Sequence, residues 1–276
     1  MRSWTVPVVA LLVCLGFLLL GIVAVGRATR QGIRDQERFT FAFDDIDCGS
    51  PPNQTRSAFL SEVQYLGSIS SRLRLLDDDL AERLATAFAS HPWVENVERV
   101  HILATRGVEV GLKFRQPALA VKLPAGAAPV EFGPALRVVD GRGIVLPAST
   151  SAQDLPVFTL VDKNPPGPAG QPWSSPSVAE AAGIAAILRQ HKLKISSLVA
   201  AQQEWTLFTP GKTRVLWGHA IGQEASGEAP ASEKAQRLAR YCTQHGGLGL
   251  PDGPYEHDVR PRHQPIRRPA SAIRPS

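Results

Sequence analysis

Residues 91–100 read HPWVENVERV. His91 precedes Pro92, and the proline ring pushes the residue before it out of the α region. The run before the joint, DDDLAERLATAFAS, has helical spacing, with Leu80, Leu84, Ala87 and Phe88 on one stripe. The spacing therefore predicts a helix that ends near Ser90. Asp79 and Glu82 have the separation of a capping box at its start. Trp93 and Val94 are then free to fold back onto the stripe. Val100 and Ile102 alternate in the strand that follows, and Val97, three positions before Val100, predicts a bulge or bend at its entry. Val108, Val110, Leu112 and Phe114 then alternate with Glu109, Gly111 and Lys113, which predicts a second strand with one face on a core.

Upstream, Phe39, Phe41 and Phe43 alternate in Arg38–Ile46, the pattern of a strand with one apolar face. CGSPPN is turn chemistry. Thr55–Leu66 carries Phe59, Leu60, Val63 and Leu66 at helical spacing. Residues 38–116 thus read as a βααββ domain, both helices able to cover one face of a three-stranded sheet. A generic small α+β module fits the same pattern.

Residues 117–261 read as a second, mostly antiparallel β domain with two helices, so the fold class is α+β. Its predicted strands are Ala118–Leu123, Leu136–Val139, Gly143–Leu146 and Leu155–Val161, then SSLVAA, EWTLFT and TRVLWG, and finally PYEHDVRP at Pro254–Pro261. The Asp-Gly step in VVDGRGIVL is a hairpin signal between apolar runs. The helices are Ser177–His191 and Ser232–His245, the latter with Ala235, Leu238, Ala239 and Cys242 on one face. Trp173, Trp205 and Trp217 read as core. GQEASGEAPAS reads as a solvated loop.

The two ends of the chain have other compositions. Trp4–Val25 runs without a charge. At a helical rise of about 1.5 Å per residue it reaches roughly 33 Å, enough to cross a hydrocarbon core of about 30 Å. The apolar core of a cleavable signal is only about 7–15 residues, so residues 4–25 read as an uncleaved transmembrane helix. Residues 1–3 then form a short tail and residues 26–37 a juxtamembrane linker. Arg27, Arg30 and Arg34 follow the span, with Arg2 before it, so the positive-inside rule taken literally keeps the main body in the cytoplasm. Arg260, Arg262, Arg267, Arg268 and Arg274 crowd the other end, and residues 262–276 read as a basic, solvated tail.

No catalytic constellation appears. The chain lacks GxSxG, P-loop and dinucleotide fingerprints. Its seven histidines are scattered; His257, Asp258 and His263 are the densest group, and no second cluster completes a metal site. Its three cysteines have no metal spacing, and pairing of Cys48 with Cys242 stays open. A net charge of +5 does not itself imply nucleic acid. The reading is therefore of a non-enzymatic chain without cofactor, metal, small-molecule substrate or nucleic-acid partner.

The order of these features resembles the FtsQ/DivIB family of bacterial cell division proteins. The residues that carry the resemblance are HPWVENVERV, VVDGRGIVL, DLPVF, EWTLFTPGKTRVLWG, EKAQRLARY and YEHDVRP. The resemblance implies a membrane anchor, a POTRA domain with Pro92, Trp93 and Val94 at its structural joint, and a β domain. It implies a single-pass protein of the inner membrane at the division septum, N-terminus in the cytoplasm and main body outside, against the local arginine bias. It implies a divisome scaffold that links division proteins to septal peptidoglycan synthesis. Its partners would be small single-span coiled-coil division proteins, which add a strand to a sheet edge. Carried onto this chain, the edge is Tyr255, Glu256, His257, Asp258, Val259 and Arg260, flanked on the last helix by Arg237 and Tyr241. A POTRA-containing envelope protein of a secretion or outer-membrane assembly system is the alternative. The chain departs from the family at FRQPALA, where Phe114 holds an acidic position.

Overall fold

The structure is a computed structural model, and it describes residues 39–103, 107–124, 136–162, 164, 166–248, 254–261 and 266–269. The predicted short tail, membrane span and linker lie outside these residues. Among the described residues no helix is long and apolar enough to cross a membrane. The fold is mixed α+β, and the chain parts into two compact units between Phe114 and Arg115.

The first unit runs β1 (Thr40–Ala42), β2 (Asp47–Cys48), α1 (Arg56–Gly67), β3 (Arg72–Arg74), α2 (Leu80–Ala89), β4 (Val94–Ile102) and β5 (Val108–Phe114). Its three-stranded sheet has the order β2-β5-β4, with β2 parallel and β4 antiparallel to β5. The strand predicted over Arg38–Ile46 is corrected in part. Phe41 and Phe43 are buried as the alternation requires, but the backbone turns into a short 3₁₀ segment at Phe43–Asp45. The outer sheet strand is instead Asp47–Cys48. The short β1 pairs separately with β3, a strand the sequence reading does not contain. Alternation specifies which face is apolar and leaves the partner strand open.

The helices form where periodicity places them. Thr55 caps α1, its Oγ1 accepting from Ala58 N at 3.3 Å. The predicted capping box on α2 does not form. Asp79 opens the helix with φ −98° and ψ 1° and makes no side-chain cap bond, because that bond needs an extended backbone. Its carboxylate lies 3.6 Å from Arg83 instead. Gly67 ends α1 where α2 passes close: a Cβ there would sit 2.5 Å from that of Ala87. Phe43, Phe59, Phe88 and Phe114 fill the space between helices and sheet, with Phe59 packed edge-on to Phe114 at 5.5 Å between ring centroids. Phe43, Phe59 and Phe88 are fully buried, and each such ring contributes about 1.5–3 kcal/mol. Two register shifts interrupt β4, at Val94/Asn96 and Val97/Arg99, so the irregular entry that Val97 predicts is present.

The second unit contains β6 (Pro117–Lys122), β7 (Leu136–Asp140), β8 (Val157–Thr159), α3 (Pro176–Gln190), β9 (Ser197–Ala201), β10 (Glu204–Phe208), β11 (Arg214–Gly218), α4 (Ala231–His245), β12 (Tyr255–Asp258) and β13 (Ile266–Pro269). They form an eight-stranded sheet of order β13-β12-β11-β10-β9-β8-β6-β7. The sheet is mixed: four of its seven strand pairs are antiparallel and three are parallel. β6 and β8, β8 and β9, and β11 and β12 pair in parallel. Parallel neighbours need long crossovers, and α3 and α4 supply two of them. The two helices touch each other and share one core with Leu119, Val121, Phe158, Leu198, Trp205, Leu207, Val215 and Trp217. The three tryptophans predicted as core are buried.

Gly143–Leu146, predicted as a strand, contributes only isolated bridges, Val139 to Val145 and Ile144 to Pro172. The buried Asp140 explains this. Its Oδ1 accepts from Arg142 N at 2.8 Å and Ile144 N at 2.9 Å, which bends the chain where a hairpin ladder would continue. Its Oδ2 accepts from Arg115 at 2.9 Å.

Candidate functional site

The residues singled out as a partner edge all gather at one end of the second unit's sheet. β12 runs parallel to β11, with Arg214 opposite Glu256, Val215 opposite His257 and Leu216 opposite Asp258. The crossover α4 holds it there: Tyr241 packs edge-on to His257 at 4.8 Å between centroids. Tyr241 also stacks on His245 one turn further along, at 4.1 Å.

The side chains of this segment are engaged within the fold. His257 is 1% exposed, and its Nε2 lies 3.1 Å from the carbonyl of Leu248. Val259 is fully buried and its N–H donates to Leu216 O at 3.2 Å. Glu256 is buried too, 3.4 Å from Arg214. Tyr255 N donates to Thr213 Oγ1 at 3.3 Å. Arg260 reaches Asp258 at 2.8 Å and Glu204 at 3.0 Å, and these carboxylates hold its guanidinium even further above neutrality than usual. Arg237 donates to Glu233 at 2.9 Å and to Pro261 O at 2.6 Å. His257 and Val259 are buried and Tyr255 is half-buried. Glu256, between Tyr255 and His257, is buried as well.

One feature of the expected site is corrected. Tyr255–Asp258 is not an open edge, because Ile266–Pro269 of the expected solvated tail lies along it as β13. The pairing is antiparallel, with Tyr255 opposite Pro269, Glu256 opposite Arg268, His257 opposite Arg267 and Asp258 opposite Ile266. IRRP has neither alternation nor a run of β-formers. A ladder made by backbone groups needs neither, so no side-chain pattern announces it.

A second cluster beside this end was also unannounced. Lys234, on α4, is fully buried, with its amino group bonded to Glu228 and 5.1 Å from the centre of the Trp217 ring. Glu228 lies in the stretch read as a solvated loop, yet it is buried. It accepts from His219 N at 2.9 Å and Ala225 N at 2.9 Å, and its Oε2 is 2.8 Å from His219 Nδ1. Burial alone would raise the carboxyl's pKa; the bonds from Lys234, the Ala225 amide and His219 pull it down to about 2. Gly218 permits this approach. It has φ +88°, and a Cβ there would fall 2.1 Å from Glu228 Oε1. The loop is also tied to the exit of β12 by Ala229 N, which donates to Arg260 O at 2.8 Å.

The joint at Pro92, Trp93 and Val94 sits in the first unit. Trp93 is 6% exposed, Val94 is buried in that unit's core, and Pro92 is half-buried. His91 is buried as well. Its Nδ1 accepts from Trp93 N at 3.3 Å, its Nε2 lies 3.0 Å from Glu62, and its ring meets Phe59 edge-on at 4.7 Å. Cys48 and Cys242 are both free thiols, and burial raises the pKa of each. Among the described residues no group of three or more His, Cys, Asp or Glu could hold a metal ion. The chain matches no protein-family model and no curated protein.

Proposed function

We propose that the chain is a non-enzymatic, single-span scaffold of the bacterial divisome. Its main body stands outside the inner membrane, where it links division proteins and septal wall synthesis by protein–protein contacts. The observation that carries this reading is the end of the second sheet. There a four-residue strand, β12, is fixed by α4 and by its own buried residues, and it takes a further strand by backbone pairing. Strand addition uses that geometry: main-chain groups give affinity and flanking side chains give register. The three-stranded sheet of the first unit with its two helices, in the order β2-α1-α2-β4-β5, supports the POTRA assignment. The partners are small single-span coiled-coil division proteins, consistent with the motifs quoted above.

Val259 lies in the core, so replacing it would report on folding rather than docking. Tyr255 can instead be replaced by the photo-crosslinking analogue p-benzoylphenylalanine, an aromatic for an aromatic, with Val199 on β9 as the control position. Irradiation of dividing cells is expected to join position 255, and not 199, to a small coiled-coil membrane protein. Capture of an outer-membrane barrel or secretion component would favour the envelope-assembly alternative. No adduct at 255 alongside adducts at 199 would overturn the docking edge. Alkaline phosphatase fused to the C-terminus should be active, which places the body outside the cytoplasm; an inactive fusion refutes that topology.

A further inference from the structure

We propose that Ile266–Pro269 is a displaceable strand in cis, which closes the β12 edge until a partner strand replaces it. The inference rests on the docking reading above and adds its regulation. β12 is held on both sides: Glu256, His257 and Asp258 pair with β11, Tyr255 N donates to the Thr213 hydroxyl, and all four residues pair with β13. An incoming strand must therefore either displace β13 or add outside it.

Adding outside is the poorer route. In an antiparallel pair, successive residues turn their hydrogen-bonding groups alternately toward and away from the partner. A four-residue strand thus offers only about two residues outward. Pro269 has no N–H, and Pro265 precedes the strand. Prolines at an outer strand are one of the ways in which proteins stop a sheet from growing.

Displacement is the easier route. β12 is anchored on one side by the crossover α4, and by His257 and Val259 in the core. β13 is joined by a ladder of four residue pairs at the end of a stretch that also contains Pro261 and Pro265. A ladder of that length is marginal by itself. Tethering compensates, because a segment a few residues away acts at an effective concentration of order mM. A partner strand must out-compete that local concentration, so docking is graded by how firmly the tail holds. The register sets Arg267 opposite His257 and Arg268 opposite Glu256.

The test supplies the strand in trans. A fluorescent peptide of residues 262–270, RHQPIRRPA, is titrated by anisotropy against three full-length preparations in nanodiscs. These are the native chain, the chain truncated after Pro261, and the Ile266→Pro/Arg268→Pro variant, which keeps the tail but cannot form the ladder. Native-like melting of each preparation is established first by tryptophan fluorescence. The truncated and double-proline chains are expected to bind the peptide about tenfold more tightly than the native chain, the ratio that an effective concentration of order mM gives a strand whose own Kd is about 0.1 mM. Equal affinity in all three, or binding by none, overturns the cis strand. Photo-crosslinking at position 255 in cells separates this inference from its premise. A yield that rises in the double-proline variant supports both. Failure of any adduct in either background, with the peptide result intact, removes the partner and leaves the cis strand standing.

Discussion

Each unit sets a histidine against a glutamate, and the two pairs are inverted. In the first, His91 is the buried member: the imidazole is 1% exposed and Glu62 is 56% exposed, at 3.0 Å. In the second, Glu228 is buried, 5% exposed against 27% for His219, at 2.8 Å. The buried member sets the charge of the pair. His91 has a neutral form that fits, because Nδ1 accepts the Trp93 N–H and the ring proton sits on Nε2, facing Glu62. Burial pushes its pKa down, and Glu62 pulls it only part of the way back. A neutral Glu228 would face the amides of His219 and Ala225 and the Lys234 amino group with one acceptor fewer, so it stays ionised. A buried titratable group is thus accommodated either by losing its charge or by surrounding it with donors.

The comparison breaks most visibly if the donors lose their acceptor. Glu228→Gln leaves Lys234 buried without its counter-charge, and should cost about 3–5 kcal/mol in denaturant unfolding. Lys234→Met should cost clearly less, since Glu228 keeps the bonds from His219 and Ala225. Equal losses would show that the amides do not hold the carboxylate. Acid separates the two units next. His91 has its folded pKa below the unfolded 6.5, so the unfolded chain takes the proton first, and stability is lost as pH falls below 6.5. Glu228 has its folded pKa at about 2 against 4.5, so its contribution is complete above 4.5 and is lost only as pH falls toward 2. With 5-fluorotryptophan NMR, the denaturation midpoint reported by Trp93 should drop between pH 7 and 5 while that of Trp217 holds. Parallel loss at both would refute the inversion. The smallest effect belongs to a pair on the surface of the first unit. Arg99→Ala removes the exposed bond to Glu109 and should shift stability by less than about 1 kcal/mol.

Local periodicity made much of this architecture legible. Leu80, Leu84, Ala87 and Phe88 are all buried on α2, and the His-Pro step ends that helix where steric conflict requires. The alternating runs of β5 and β10 became strands. The failures lie where a distant group decides. Lys234 borders the apolar stripe of α4, and its burial follows from a glutamate delivered by a separate loop. Parallel pairing of β6 with β8 and β8 with β9 leaves no local trace, because it depends on what the crossovers do. The grouping of Tyr255–Arg260 with Arg237 and Tyr241 was expected from the resemblance alone, and closure by β13 has no side-chain pattern to announce it.

The pairing pattern also orders the assembly of the second sheet in time. β9, β10 and β11 are consecutive, and β9 turns into β10 through Gln202 and Gln203, both at positive φ. These ladders close short loops. The parallel contacts Phe158 to Leu198 and Arg214 to Glu256 each close about 40 residues, which costs about 2 kcal/mol more in chain entropy than closing about 4. The meander is therefore expected to form in the folding transition state and β12 after it. Truncating Leu207 should slow refolding, whereas truncating Val259 should mainly speed unfolding. The edge at which docking is proposed is then among the last parts of the sheet to be laid down and the first to be given up.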